Sequence, residues 1–170
     1  MASARMGEMV VSKDPHEELV ALGLGSCIGL AIVDRTAGVA GLAHIVLPES
    51  NDRRNQVGKF ADTAVPELIA RMREAGAVER RFETAIAGGA RMFEMSGGLD
   101  IGARNEAAVR SALAGARVPL KAAKTGGTIG RTLMVAVSDL TVTVRAAGER
   151  PETLLEGRTP RTTTEAGATR

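Results

Sequence analysis

From Leu19 to Val33 the chain carries no charged residue, and three glycines break up that run. The run is short for a bilayer span, and its glycines argue against one long helix. Buried strands joined by a turn suit it better. Residues 19–24 and 28–33 are therefore predicted strands, with Gly25-Ser26-Cys27 as the turn between them. A second apolar run, 39–47, follows the turn Asp34-Arg35-Thr36-Ala37-Gly38 and is closed by Pro48. Paired antiparallel, 28–33 and 39–47 form a hairpin whose open end brings together the start of one arm and the end of the other. Cys27 stands at that start and His44 near that end.

Cys27 is the only cysteine of the chain, and His44 is one of two histidines. A thiol in a glycine-punctuated turn lies among backbone N–H groups not committed to a helix or a ladder. Such groups stabilise a thiolate and, later, an oxyanion. An imidazole one hairpin away is placed to take the thiol proton. Gly25 and Ser26 supply turn and oxyanion support in this reading, and Ser26 itself reads as a turn residue beside the better nucleophile. Spacing alone leaves the plainer reading open: a lone cysteine is commonly a small buried apolar residue, and a histidine in an apolar run is commonly a satisfied core residue. The glycines miss the dinucleotide-binding fingerprint, since Gly29 falls one place late. His16, in the charged connector "KDPHEE", reads as a solvated loop histidine.

Elsewhere, residues 8–12 read as a short strand. From Val57 the apolar positions repeat at three and four, through Phe60, Ala61, Ala64, Val65, Leu68, Ile69 and Met72, which is an amphipathic helix ended by Gly76. Pro66 should kink it or open a second helical piece. Residues 84–87 read as a buried strand running into Gly88-Gly89, a turn that packs backbone tightly and lacks the lysine of a phosphate loop. The stretch 96–105 reads as a turn-rich loop, 106–113 as a helix, 124–131 as a loop, and 118–121, 132–137 and 140–145 as strands. The expected fold class is α+β: a single domain, a layered sandwich of mostly antiparallel sheet with helices packed outside. Residues 1–147 form that domain. Residues 148–170, rich in Thr, Arg, Pro and Glu, read as a flexible tail.

Composition closes several routes. Lys and Arg number 22 against 20 Asp and Glu, Trp and Tyr are absent and Phe occurs three times. A nucleic-acid binder would show clustered bases and stacking aromatics instead. One cysteine forms no internal disulfide, which suits a reducing cytosol. The N-terminus carries no apolar stretch of signal-peptide length. A cytoplasmic protein with no direct membrane insertion is expected. One cysteine and two histidines out of ligand spacing ask for no metal, and nothing asks for an organic cofactor.

The stretches "LGLGSCIGLAIVD" and "GVAGLAHIVLPES" resemble the start of the CheD family of chemoreceptor glutamine deamidases. The likeness continues in order through "KFADTAVPELIARMREAGA", "AIAGGARMF", "DIGARNEAAVRSAL" and "GGTIGRT", over residues 7–145. It implies hydrolysis of glutamine side-chain amides on methyl-accepting chemoreceptors, with Cys27 as nucleophile and His44 as base. It also implies a layered α/β sandwich and, as an alternative role, a binding module that partners a CheC-type phosphatase. Two positions depart from the family pattern. A threonine usually precedes "LGLGSC" and orients the histidine; Ala21 stands there and offers no hydroxyl, so a backbone carbonyl, a water or another hydroxyl must set the tautomer. An aspartate usually stands where this chain has Lys124.

Overall fold

The structure is a computed structural model, which describes residues 1–51, 56–93 and 100–159. In chain order its elements are β1 (Ala2–Ser3), β2 (Met9–Ser12), β3 (Glu18–Leu24), β4 (Ile28–Asp34), β5 (Val39–Ile45), α1 (Ala61–Glu74), β6 (Glu83–Gly88), α2 (Ile101–Gly115), β7 (Leu120–Thr125), β8 (Arg131–Ala136), β9 (Thr141–Ala146) and β10 (Glu152–Leu155), with a 3-10 turn at Glu79–Arg81. The strands make two five-stranded sheets. One has the order β1-β3-β8-β9-β10 and the other β2-β5-β4-β6-β7. Most pairs are antiparallel; β1 with β3 and β6 with β7 are parallel. This is the α+β sandwich expected from the sequence.

Alternation along β4 explains the layering. Ile28, Leu30 and Ile32 point to one side, where they pack with Ala64, Val65, Leu68 and Met72 of α1 and with Val109 and Leu113 of α2. Ala31 and Val33 point to the other, where they meet Leu19, Leu24, Leu133 and Val135 of the facing sheet, and Cys27 joins this layer. Every residue of β4 and β5 is buried. A strand covered on both faces has no polar side to show, which is why the sequence reads there as continuous apolar runs. Full burial of a side chain such as Leu68 or Met72 is worth roughly 1.5–3 kcal/mol, and both are fully buried.

The predicted hairpin is present, with Ile28 opposite Ile45 and Gly29 opposite His44. Its turn is fastened by Asp34, whose Oδ1 accepts from the N–H groups of Thr36 (3.0 Å) and Ala37 (3.1 Å) and whose Oδ2 accepts from Val78 (2.8 Å) and Arg81. Helix α1 starts at Ala61, after the β-conformation of Phe60, so Val57 lies outside it. Pro66 neither splits the helix nor opens a second one; α1 runs unbroken from Ala61 to Glu74, its apolar stripe held on the sheet. Gly76 ends it with a positive φ, its N–H bonding the Arg73 carbonyl.

Three further boundaries differ from the sequence expectation. Helix α2 begins at Ile101, capped by Asp100, whose side chain accepts from the Ala103 N–H at 3.0 Å. The loop expected at 96–105 therefore ends earlier, and residues 96–99 lie outside the described residues. Strand β7 extends through Lys124 and Thr125, so the expected loop there is shortened to its glycine portion. Glu152–Leu155, placed by sequence in a flexible tail, form β10 on the edge of β9. Leu155 is buried in the inter-sheet layer, and one such side chain on an available sheet edge outweighs the polar composition around it. Residues 160–170 lie outside the described residues. None of the described helices is long and apolar enough to cross a membrane.

Candidate active site

Cys27 ends the Gly25-Ser26-Cys27 bend between β3 and β4, one residue before the β4–β5 ladder begins. His44 pairs with Gly29 on the same ladder. Side chains two apart on a strand share a face, so Cys27, Gly29 and His44 all look into the layer between the sheets. Cys27 and His44 are then diagonal neighbours across the strand pair. The expected hairpin thus sets the two residues on one face of the strand pair. Both side chains are buried, at 7% and 2% exposure.

Of the groups that could stand in for the missing hydroxyl at position 21, a backbone carbonyl orients the histidine. Its Nδ1 lies 3.2 Å from the carbonyl oxygen of Ala4, just past β1. A carbonyl only accepts, so Nδ1 carries the proton and Nε2 presents a bare lone pair. Nε2 is buried and has no partner among the described residues. Burial pushes the His44 pKa below its ordinary 6.5, with the Ala4 hydrogen bond acting in the opposite sense. Burial likewise raises the Cys27 thiol above 9.0, partly countered by its own backbone N–H directed at the sulfur. The resting pair is therefore neutral thiol and neutral imidazole, not an ion pair. Ala21 is fully buried in the same inter-sheet layer and contributes no hydrogen-bonding group. The backbone carbonyl of Ala4 provides the contact that a side chain at position 21 cannot.

Around the thiol, backbone is packed closely. The Gly25 N–H donates to Gly23 O at 3.0 Å, and Gly25 O accepts from Ala90 at 2.8 Å. The N–H groups of Ser26 and Cys27 reach no acceptor outside their own residues among the described ones, which makes them the available donors of the bend. The Gly88-Gly89 turn presses on this bend: Gly89 N–H bonds Cys27 O at 2.9 Å, and a Cβ on Gly88, at φ 110°, would lie 2.1 Å from that oxygen. Tight backbone packing is thus its role. Gly102 in the first turn of α2 is required for the same reason, since a Cβ there would lie 2.4 Å from Gly89 O.

A pocket of about 270 Å³ opens on Cys27, lined by Ser26, Met92, Phe93 and the first turn of α2. Phe93 is 80% exposed and Met92 44%, an apolar wall facing solvent. A larger hollow of about 650 Å³ between α1 and α2, beside Asp62 and Arg104, contains neither Cys27 nor His44. Among the described residues no cluster of side chains suits a metal ion. His16 is exposed, as expected. Lys124 pairs with Glu152 of β10 at 2.8 Å on the surface. Sequence reasoning missed two participants: Ala4, and Asn105, whose Nδ2 donates to Ser26 O at 2.9 Å and Val46 O at 2.8 Å. The capping aspartate three residues before Ala103 was the available signal that Asn105 sits on a helix.

Fold and site together define a single-domain α+β protein that encloses a thiol and a neutral imidazole on one face of a strand pair. The family described as CheD, chemotactic sensory transduction, matches residues 46–146. A protein of Thermotoga maritima named chemoreceptor glutamine deamidase CheD is 41% identical over 143 residues, covering 84% of this chain and 90% of that one. One of Symbiobacterium thermophilum, named probable chemoreceptor glutamine deamidase CheD, is 43% identical over 149 residues, again covering 84% and 90%. A similarly named protein of Methanococcus maripaludis is 37% identical over 147 residues. The chain belongs to the CheD family.

Proposed function

We propose that this protein is a cytoplasmic chemoreceptor glutamine deamidase that converts glutamines of methyl-accepting chemotaxis receptors to glutamate during adaptation. Cys27 is the nucleophile and His44 the base. A glutamine side chain enters the pocket over Cys27, and Nε2 of His44 takes the thiol proton as sulfur bonds to the amide carbon. The oxygen becomes an oxyanion, held by the N–H groups of Ser26 and Cys27, with Gly25 shaping the bend; such a donor is worth about 3–4 kcal/mol. His44 returns the proton to the departing nitrogen, the C–N bond breaks and ammonia leaves a thioester. Water attacks that thioester as His44 takes its proton, the C–S bond breaks, and the thiol and a glutamate side chain are released.

The observation that carries this reading is the bare, buried Nε2 of a neutral His44, fixed by Ala4, on the thiol's own face of the sheet. A raised thiol pKa is compatible with it, because proton transfer to His44 accompanies attack instead of preceding it. The alternative is a binding module that partners a CheC-type phosphatase, with weak or no deamidase activity; the Ala4 carbonyl on His44 supports the enzyme reading over it. The test is mass spectrometry of a folded receptor cytoplasmic fragment incubated with the reduced protein and, in parallel, with Cys27→Ala. Gln-to-Glu conversion at defined sites, absent with Cys27→Ala, is expected. No conversion by the wild type would overturn the proposal and shift attention to capture of a CheC-type partner.

A further inference from the structure

The β4–β5 ladder ends at the Ile28–Ile45 pair, and just beyond it the two strands leave the carbonyls of Ser26 and Val46 unmatched. The side chain of Asn105 fills that gap. Its amide nitrogen donates one proton to each carbonyl, and the residue is completely buried. Its oxygen, also buried, meets no donor among the described residues. A fully buried side chain that gives one amide proton to each carbonyl ties the two strands together where their own ladder has ended.

The Ser26–Cys27 peptide is trans. In a trans peptide the carbonyl and the N–H of one plane point in opposite directions. Holding the Ser26 carbonyl on α2 thereby turns the Cys27 N–H away from α2. We propose that Asn105 is a positioning residue of the reaction: by gripping Ser26 O it aims the Cys27 N–H at the sulfur and the nascent oxyanion, and by gripping Val46 O it holds the His44 strand in register with the thiol. The inference deepens the deamidase reading and rests on it. Asn105 itself touches neither the substrate nor the sulfur; it acts through the Ser26–Cys27 peptide.

The experiment compares wild type with Asn105→Ala by two readouts. One is kcat and KM for deamidation of the receptor fragment. The other is the pH profile of alkylation by iodoacetamide, which reports this chain's single thiol without any receptor. With the N–H no longer aimed, kcat should fall on the order of a hundredfold, as for loss of an oxyanion donor, with KM within twofold. The alkylation midpoint should move to higher pH, because the thiolate loses the same donor. A merely structural role would lower the melting temperature and leave both readouts of the folded protein unchanged. That result, with kcat within threefold of wild type, overturns the proposal. If Asn105→Ala does not fold, Asn105→Ser, which retains a donor in less volume, is judged by the same two readouts. Inactivity of the wild type would sink the deamidase reading alone, since the alkylation profile still decides the role of Asn105.

Discussion

Starting the chain at Met6 removes residues 1–5 and with them the carbonyl that orients His44. The deleted segment contributes the short pairing of Ala2 with Leu19 and Ser3 with Val20, the 2.9 Å bond from Ala4 N–H to Val20 O, and the buried Ala4 side chain. At about 1 kcal/mol per net hydrogen bond, the loss of stability is about 2–3 kcal/mol, hence roughly 4–12 °C in melting temperature for a domain of this size. The protein still folds. The effect on activity is separate. Without Ala4 O no other acceptor among the described residues favours the proton on Nδ1, and an imidazole protonated on Nε2 cannot accept from the thiol. A net hydrogen bond of about 1 kcal/mol corresponds to about fivefold in rate, and looser orientation raises this to about tenfold. The assay is kcat on the receptor fragment at saturating concentration, well below the melting transition. Ala21→Thr should restore part of the loss in the shortened chain by giving the imidazole a hydroxyl, while leaving full-length activity unchanged or slightly raised. A shortened, folded protein with undiminished kcat would refute the assignment of Ala4, and a large loss from Ala21→Thr in the full chain would refute the account of position 21.

With the His44 pKa depressed below 6.5 and that of Cys27 raised above 9.0, kcat/KM should be flat across neutral pH, with both limbs displaced outward; a limb between pH 7 and 8 in a steady-state pH profile would contradict this. The same groups bound stability: between the depressed and the ordinary histidine value the unfolded chain binds more protons, so stability falls as pH drops below 6.5, and above 9.0 the folded thiol keeps a proton the unfolded one loses, so stability falls as pH rises. That window is measurable by thermal denaturation. Phe93→Ala, which removes the most exposed apolar side chain of the pocket wall, should raise KM for the receptor fragment about five- to thirtyfold with kcat unchanged, the scale of a docking hot spot; an unaltered KM would exclude Phe93 from substrate contact.

The hairpin that carries Cys27 and His44 was legible because doubly covered strands leave uninterrupted apolar runs and Asp34 to Gly38 is a strong turn signal. The start of α2 was not, because Gly102 resembles a breaker; it is there for the close approach of Gly89, a long-range demand invisible locally. Strand β7 lies at a sheet edge, where Lys121 and Lys124 mask the strand pattern. β10 was hidden because its few apolar residues gain from an edge that exists only once β9 is in place. Ala4 could not have been found at all: its contribution is a carbonyl oxygen, which every residue type possesses, so no side chain advertises it.

The sheet order has a consequence for how the chain is made. The layer that encloses the thiol is closed by β8 and β9, whose residues 131–146 leave the ribosome long after the β4–β5 hairpin. Before β8 is made, β3 has only the two-residue β1 to pair with, so the layer over Cys27 and His44 cannot close until residues 131–146 are available. In the folded protein the thiol keeps its opening onto the pocket of about 270 Å³, while the layer behind it is completed by strands far along the chain from the hairpin that carries it.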